Sequence, residues 1–168
     1  MAMHAPITTP PLSGTCPESF FRDADALDAI IDQLHEAIDA EALVGDQFFD
    51  IALSDLAHKA AYAWETCETA TLRFLARPHL GDAHVLAAEH VLDVLQDRGL
   101  DHDRLRTAPV SLMRAACRSA ARVDLESLVL TRQLSHLSSL LSVIIEDSET
   151  AADPDPETVF DPGAPSHG

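Results

Sequence analysis

Apolar residues recur at steps of three and four along most of this chain, and this spacing constrains the fold more than any other feature. The clearest stretch reads Leu27, Ile30, Ile31, Leu34 and Ile38. Such spacing is typical of an amphipathic α-helix that buries one face. No segment shows a sustained period of two bounded by turns, so we expect no strands. The sequence therefore predicts an all-α protein.

Glycine and proline divide this pattern into four predicted helices. The breaks fall at Gly45, between Pro78 and Gly81, and at Gly99, and these residue types commonly end helices. We expect helices over residues 22–43, 46–77, 82–99 and 109–146. Short connections favour antiparallel neighbours. The predicted architecture is therefore an antiparallel four-helix bundle.

The fourth predicted helix is too long for its neighbours. Its apolar seam runs from Met113 to Ile144 in alternating steps of three and four, which is a heptad rhythm. Its length would be about 57 Å at 1.5 Å per residue, more than the third helix can cover. Either this helix bends near Asp124 or a tail covers it, or part of its seam is left for a second copy in a homodimer.

Two tails flank the predicted bundle. Residues 1–21 contain several prolines and no apolar period, and residues 147–168 are acidic and rich in proline. Neither composition supports a packed core. We expect two disordered tails around one helical domain, residues 22–146, which suits a chain of 168 residues.

The formal net charge of −17 is unevenly distributed. Residues 23–45 carry seven acids and no base, and residues 146–168 do the same, whereas residues 100–145 have a net charge of +2. An acidic chain repels phosphates, so we expect no direct contact with nucleic acid or an anionic membrane. The protein is predicted to be electrostatically polarised.

The acids of the first predicted helix are the leading candidates for binding. We predict that this face contacts a protein with a basic surface, as an adaptor, inhibitor or immunity-type regulator would. The candidate residues are Asp25, Asp28, Asp32, Glu36 and Asp39. Phe48 and Phe49, near the tip of the first hairpin, are candidates for an exposed apolar contact. In an alternative, spaced carboxylates imitate phosphates and inhibit a DNA- or RNA-binding protein.

Two further features are candidates for recognition. Arg114, Arg118 and Arg122 are spaced i, i+4, i+8, so they share one helix face. They either face the acids of the first helix, or are solvated, or bind an anion. In the acidic C-terminal tail, Val159 and Phe160 form an apolar pair flanked by acids, which is typical of a short docking motif. The simpler interpretation is a solubilising tail.

A metal site is a weaker alternative. Asp32 and His35 form an Asp-x-x-His unit that Asp55 and His58 repeat. Counted from Gly45, the two units fall at similar heights in a hairpin, and helical bundles do bind metals through carboxylate and histidine pairs. However, Asp is shorter than the usual Glu, and the first unit flanks the apolar seam. We expect no metal and no cofactor, and keep a metal- or small-molecule-binding bundle as the alternative.

No motif for catalysis stands out. The chain has no Gly-x-Ser-x-Gly sequence and no glycine-rich phosphate loop. Arg77-x6-His84 matches a spacing found in some helical ribonucleases, but Pro78 and Gly81 break the helix within it. The sequence therefore favours a protein that is not an enzyme.

Three scattered cysteines, Cys16, Cys67 and Cys117, do not form a disulfide framework. Such usage favours a reducing cytosol, and the N-terminus has no signal-peptide pattern. Cys67 and Cys117 lie on or beside apolar faces, so we expect both to pack in the core. Residues 125–145 contain charged side chains that are costly in lipid. We expect a core helix there and a cytoplasmic protein.

Overall fold

The computed structural model describes residues 17–45, 53–96 and 102–152, and these residues form five helices and no strands. The helices are α1 (Pro17–Gly45), α2 (Leu53–Leu75), α3 (Asp82–Gln96), α4 (His102–Ala120) and α5 (Leu125–Ala152). The all-α class is confirmed. The predicted number of four helices is wrong, because the long fourth helix is two helices.

The break between α4 and α5 is capped by Asp124. The Ser127 backbone N–H donates to Asp124 Oδ1 at 2.7 Å, and Asp124 Oδ2 lies 3.3 Å from Arg122 Nε. An aspartate in this position satisfies an unpaired N–H at the start of a helix, so a new helix begins there. The alternative of a bend near Asp124 is therefore confirmed, as a full break between two helices, and Val123, which lies within the predicted seam, is fully exposed.

Both outer helices extend beyond the predicted domain boundaries. α1 begins at Pro17, because proline suits the first position of a helix. α5 ends at Ala152, and the next residue, Asp153, precedes a proline that disfavours helical backbone. Residues 17–21 and 147–152, predicted as tail, are thus helical. The remaining tail residues, 1–16 and 153–168, lie outside the described residues.

α1 and α2 pack as an antiparallel pair. The Cys67 thiol lies 3.9 Å from the Ile30 carbonyl, and the Arg77 guanidinium contacts Asp23 further along. Residues later in α2 therefore meet residues earlier in α1. These two contacts define the register of α1 against α2, that is, which residues of the two helices lie at the same level along the helix axes.

α4 and α5 also run antiparallel. The Thr131 hydroxyl lies 3.4 Å from the Ala116 carbonyl, and the Ser138 hydroxyl donates to the Pro109 carbonyl at 3.0 Å. The end of α5 therefore extends past the beginning of α4. The two hairpins are joined where Gln133 Nε2 donates to the Ala24 carbonyl at 2.7 Å.

α3 packs against all four other helices. The spacing of its apolar residues predicts a buried face of Val85, Ala88, Val91, Leu92 and Leu95. Instead, the buried residues of α3 are His84, Ala87, Ala88, Val91 and Val94. The buried face thus differs from the predicted one, and two of its five residues are the small side chains of Ala87 and Ala88. This face also brings His84 into the core.

The core itself draws on every helix of the described chain. Its largest fully buried apolar side chains are Phe74, Leu27, Ile31, Leu34, Leu112, Leu134, Leu137, Leu141, Val91 and Val94. Thr71 and Gln133 are buried among them. Burial of this apolar surface is the main stabilising contribution to the fold.

Candidate functional site

The candidate acids of α1 form one surface, which we call the acidic stripe: Asp25, Asp28, Asp32, Glu36 and Asp39. Asp28 is half-buried and the other four are exposed. At 100° per residue the five side chains fall within an arc of roughly 80°, and they extend over about 21 Å of helix. The fold therefore gathers the predicted residues on a single face.

The acidic stripe forms no ion pair with lysine or arginine within the described residues, although Lys59 lines the same depression as Glu36. Among the described residues, Asp25, Asp28, Asp32 and Glu36 form no ion pair, and Asp39 Oδ1 lies 3.8 Å from His35 Nε2. Asp28–Asp32 and Asp32–Glu36 are like-charge pairs at i, i+4, and each such pair destabilises a helix by roughly 0.2–0.5 kcal/mol. The stripe is thus locally unfavourable for α1, and a cation from outside would relieve it.

Asp23, also on α1, is in a different environment. It is 8% exposed, and its Oδ1 accepts a hydrogen bond from Arg77 Nη1 at 3.1 Å. The Arg77 guanidinium also lies 5.3 Å from the centre of the Phe74 ring. Asp23 is therefore paired inside the fold, and it is not one of the candidate binding acids.

His84 lies close enough to this ion pair for the Asp23 charge to affect its titration. We call Asp23, Arg77 and His84 the polar cluster. His84 is only 3% exposed, and its ring packs edge-on against Phe20 and Phe74, at centroid distances of 5.2 and 6.4 Å. Burial lowers the pKa of His84 below its usual 6.5, and the Asp23 charge opposes that shift. The cluster is a packed structural element in which a neutral imidazole is favoured.

The turn between α2 and α3 brings Arg77 and His84 together in spite of the helix break. His79 has a φ of 66° there, and the His84 backbone N–H donates to the Gly81 carbonyl at 2.9 Å. The Arg77-x6-His84 spacing thus does place both residues near Asp23. Phe20 and Phe74 pack against the buried His84 ring, whereas the Arg77 side chain stays partly accessible to solvent. The partner, Asp23, is distant in the chain and carries no local sequence signal.

The four residues of the alternative metal site do not converge. Extrapolated from the Cys67–Ile30 and Arg77–Asp23 contacts, His58 falls one to two turns from His35. The His58 ring instead contacts the Ser54 carbonyl of its own helix, with Nδ1 and the oxygen 2.6 Å apart. In the part of the chain that the structure describes, no three His, Cys, Asp or Glu side chains are grouped to hold a metal ion. Asp32 and Asp55 are both exposed.

The three arginines of the predicted stripe are exposed on α4 and the turn that follows it. Within the described ranges α1 and α4 are not in contact, so these arginines do not face the acidic stripe. Arg122 pairs with Asp124. Arg114 and Arg118 instead border a groove of about 540 Å³, the α4 groove, which is lined by Pro109, Val110, Met113, Arg114, Cys117, Arg118 and Ser138.

The two described cysteines differ. Cys67 is fully buried, as predicted, and burial raises the pKa of its thiol to about 11. Cys117 is exposed in the α4 groove, so the prediction that it packs in the core is wrong. It lies on the outer face of α4 because the break at Asp124 turns α5 back against the opposite face.

Apolar side chains are also exposed at the tip of the α4–α5 hairpin. Val123, Leu125 and Leu128 are largely solvent-accessible and line a depression of about 500 Å³. The segment Leu125–Glu146 is long and apolar enough to cross a membrane, and is the one such helix in the described part of the chain. The core helix of a soluble protein passes the same test.

Phe48 and Phe49, the candidates for an exposed apolar contact, lie outside the described residues.

Comparisons with protein-family models, with curated proteins and with solved structures found no match. The chemistry of the residues themselves is therefore the basis for a functional conclusion.

Proposed function

We propose that this is a non-enzymatic cytoplasmic protein that binds another protein, one with a basic surface, through the acidic stripe of α1. The supporting observation is the row of carboxylates that face solvent without a lysine or arginine partner in the described chain. Phe48 and Phe49, which follow α1 in the sequence, are the proposed apolar part of the same contact. The protein acts as an adaptor, inhibitor or immunity-type regulator.

Charge gives such a surface a specific physical role. A field of one sign steers an oppositely charged partner and raises the association rate, and salt screens this effect over about 10 Å at 0.1 M. Because the stripe contains like-charge neighbours, its own repulsion falls when a basic surface approaches. Binding should therefore be fast and strongly dependent on salt.

The polar cluster supports a role that is not catalytic. Asp23, Arg77 and His84 are titratable groups that the fold brings together from separate elements, but the imidazole is buried. A general acid or base must come within hydrogen-bond reach of its substrate. Phe20 and Phe74 occupy the space beside the ring.

The experiment compares three full-length baits in lysate of the native host, with captured proteins quantified by mass spectrometry. One bait is the unaltered chain and one carries a neutralised stripe. In the latter the changes are Asp25→Asn, Asp28→Asn, Asp32→Asn, Glu36→Gln and Asp39→Asn. A control bait with the same charge change elsewhere carries Asp55→Asn, Glu65→Gln, Glu68→Gln, Glu89→Gln and Glu126→Gln.

A basic protein retained by the unaltered and control baits, and lost from the stripe variant, is the expected result. The purified partner should then bind with an affinity that falls steeply between 50 and roughly 500 mM salt, because rim charges act over the screening length. If all three baits capture the same proteins, the stripe does not carry the function. If DNA displaces the partner competitively, the protein imitates nucleic acid.

A further inference from the structure

The α4 groove combines exposed apolar side chains with the guanidinium groups of two arginines. Val110 is 51% exposed and Met113 is 44% exposed, although both are on a helix whose opposite face is buried. Arg114 and Arg118 border the same groove. The volume of about 540 Å³ lies in the range of roughly 300–1,000 Å³ that is typical of ligand clefts. An occupant must therefore combine an apolar group with negative charge.

The C-terminal segment of this chain has that combination. Residues 153–168 contain four acids and no lysine or arginine, and their one aromatic residue, Phe160, is preceded by Val159. Asp161 follows directly. We propose that residues 153–168 bind in cis to the α4 groove, with Phe160 against Val110 and Met113 and with Asp161 near Arg114.

The antiparallel register of α4 and α5 places this segment within reach. Ser138 lies beside Pro109 at one end of the groove, and the described helix ends at Ala152. Ala152 is fourteen positions after Ser138 in the chain, which corresponds to about 21 Å along α5. An extended chain from Ala152 to Phe160 spans about 26–29 Å. Phe160 therefore reaches the end of the groove that contains Val110.

The same geometry limits which cations the segment can meet. Thr131 lies beside Ala116, so Arg122 is level with a position near the start of α5, about 40 Å from Ala152 along the helix. Phe160 cannot reach that far. Arg114 is thus within reach of the acids next to Phe160. Arg122 lies beyond that reach, so it can serve as the control arginine.

A weak contact is enough to populate this bound state. A short tether keeps the segment at an effective concentration on the order of millimolar near the groove. An intrinsic affinity in the millimolar range, too weak for most separate partners, then suffices in cis. The bound segment covers Met113 and part of the arginine face.

The test uses the full chain labelled with ¹³C on its methionine methyl groups, of which there are three. Met113→Leu assigns the Met113 signal. We expect a nuclear Overhauser effect between the Met113 methyl and the Phe160 ring, and a shift of the methyl signal in Phe160→Leu, which removes the ring current. Arg114→Glu should weaken the effect, whereas Arg122→Glu should leave it unchanged.

Two results would overturn the proposal. One is a Met113 signal that does not move in Phe160→Leu and shows no contact with the Phe160 ring. The other is a contact that appears between chains in a mixture of methionine-labelled and phenylalanine-labelled protein, because the segment would then occupy a second copy. Neither outcome bears on the acidic stripe, which lies on α1 and is unchanged in these variants.

Discussion

The guanidinium of Arg77 lies 3.1 Å from the carboxylate of Asp23, although 54 positions separate the two residues in the chain. This ion pair ties the start of α1 to the segment that follows α2, and none of the five acids of the acidic stripe forms such a pair with arginine or lysine within the described residues. The Asp23 side chain is largely buried, whereas Arg77 remains partly accessible to solvent. Substitution of Arg77 and substitution of Asp23 should therefore change the stability of the fold by different amounts.

Arg77→Ala should lower the free energy of unfolding by about 1–2 kcal/mol, because it leaves the Asp23 carboxylate buried without its donor. Urea denaturation measures this change. Arg73→Ala is the control, since Arg73 is exposed on the same helix and its loss should change the stability by less than about 0.5 kcal/mol. Equal effects of the two substitutions would show that the ion pair does not stabilise the fold.

The stability should fall as pH decreases through the range below 6.5, in part because of His84. Burial lowers the pKa of the folded His84, so the unfolded chain binds more protons in the window between the folded pKa and 6.5. Its contribution is present above 6.5 and is lost as pH falls towards the folded pKa. The charged groups facing it are Asp23 and, through Asp23, Arg77. In His84→Phe, urea midpoints between pH 8 and 5 should decline less than in the unaltered protein, and parallel declines would contradict this assignment.

Asp124→Ala should lower the thermal midpoint by about 2–4 °C, because α5 loses the acceptor for its Ser127 N–H. Hydrogen bonding to the Ser127 side chain, and then to the Ser127 backbone N–H, lowers the pKa of Asp124 below its usual 3.8. Its stabilising effect is therefore present above pH 3.8 and is lost as pH falls through the folded pKa. Asp124→Asn keeps an acceptor and should retain most of the midpoint, as measured by circular dichroism. If Asp124→Asn lowered the thermal midpoint as much as Asp124→Ala, the charge of Asp124 and not its hydrogen bond to the Ser127 N–H would be the stabilising feature.

The two described cysteines should differ in reactivity towards iodoacetamide. Burial raises the pKa of the Cys67 thiol to about 11, and the side chain has no contact with solvent, so the thiolate is both scarce and inaccessible at pH 8. Cys117 is exposed and should be alkylated in the native protein. Peptide mass spectrometry distinguishes the two sites. Cys67 should react only after denaturation, and rapid labelling of Cys67 in the native protein would contradict its placement.

The register of α5 can be tested by paired leucine substitutions. Leu134 is fully buried and Leu128 is exposed, although the two residues are only six positions apart. Leu134→Ala should lower the free energy of unfolding by about 2–5 kcal/mol. Leu128→Ala should change it by less than about 0.5 kcal/mol. Similar losses from both, measured in urea, would mean that Leu128 is covered in solution.

Local sequence patterns predicted the helical class and much of the core, but they did not predict contacts between helices. The periodic residues Leu27, Ile31 and Leu134 are buried as expected, because a helix repeats its faces regularly. The α4–α5 break was identified only as a bend, since the cap at Asp124 competes with an uninterrupted heptad. The Asp23–Arg77 pair has no local signal at all, because it depends on how α1 and α2 are packed.

The buried face of α3 has a similar origin. Its apolar spacing predicted an aliphatic face, whereas the buried face includes Ala87, Ala88 and His84. A helix that contacts neighbours on several sides has no single face that periodicity can identify. The acidic stripe, in contrast, faces solvent and could be predicted from spacing alone.

The division into two antiparallel hairpins also has a consequence for the order of folding. Each hairpin joins helices that are adjacent in sequence, so its contacts close with little loss of chain entropy. The bond from Gln133 to Ala24 spans 109 positions and can form only when the hairpins dock. We therefore expect α1–α2 and α4–α5 to be separate cooperative units whose docking is the late step. Native-state hydrogen exchange should then reveal two groups of amides with different opening energies, and a single group would indicate one cooperative unit.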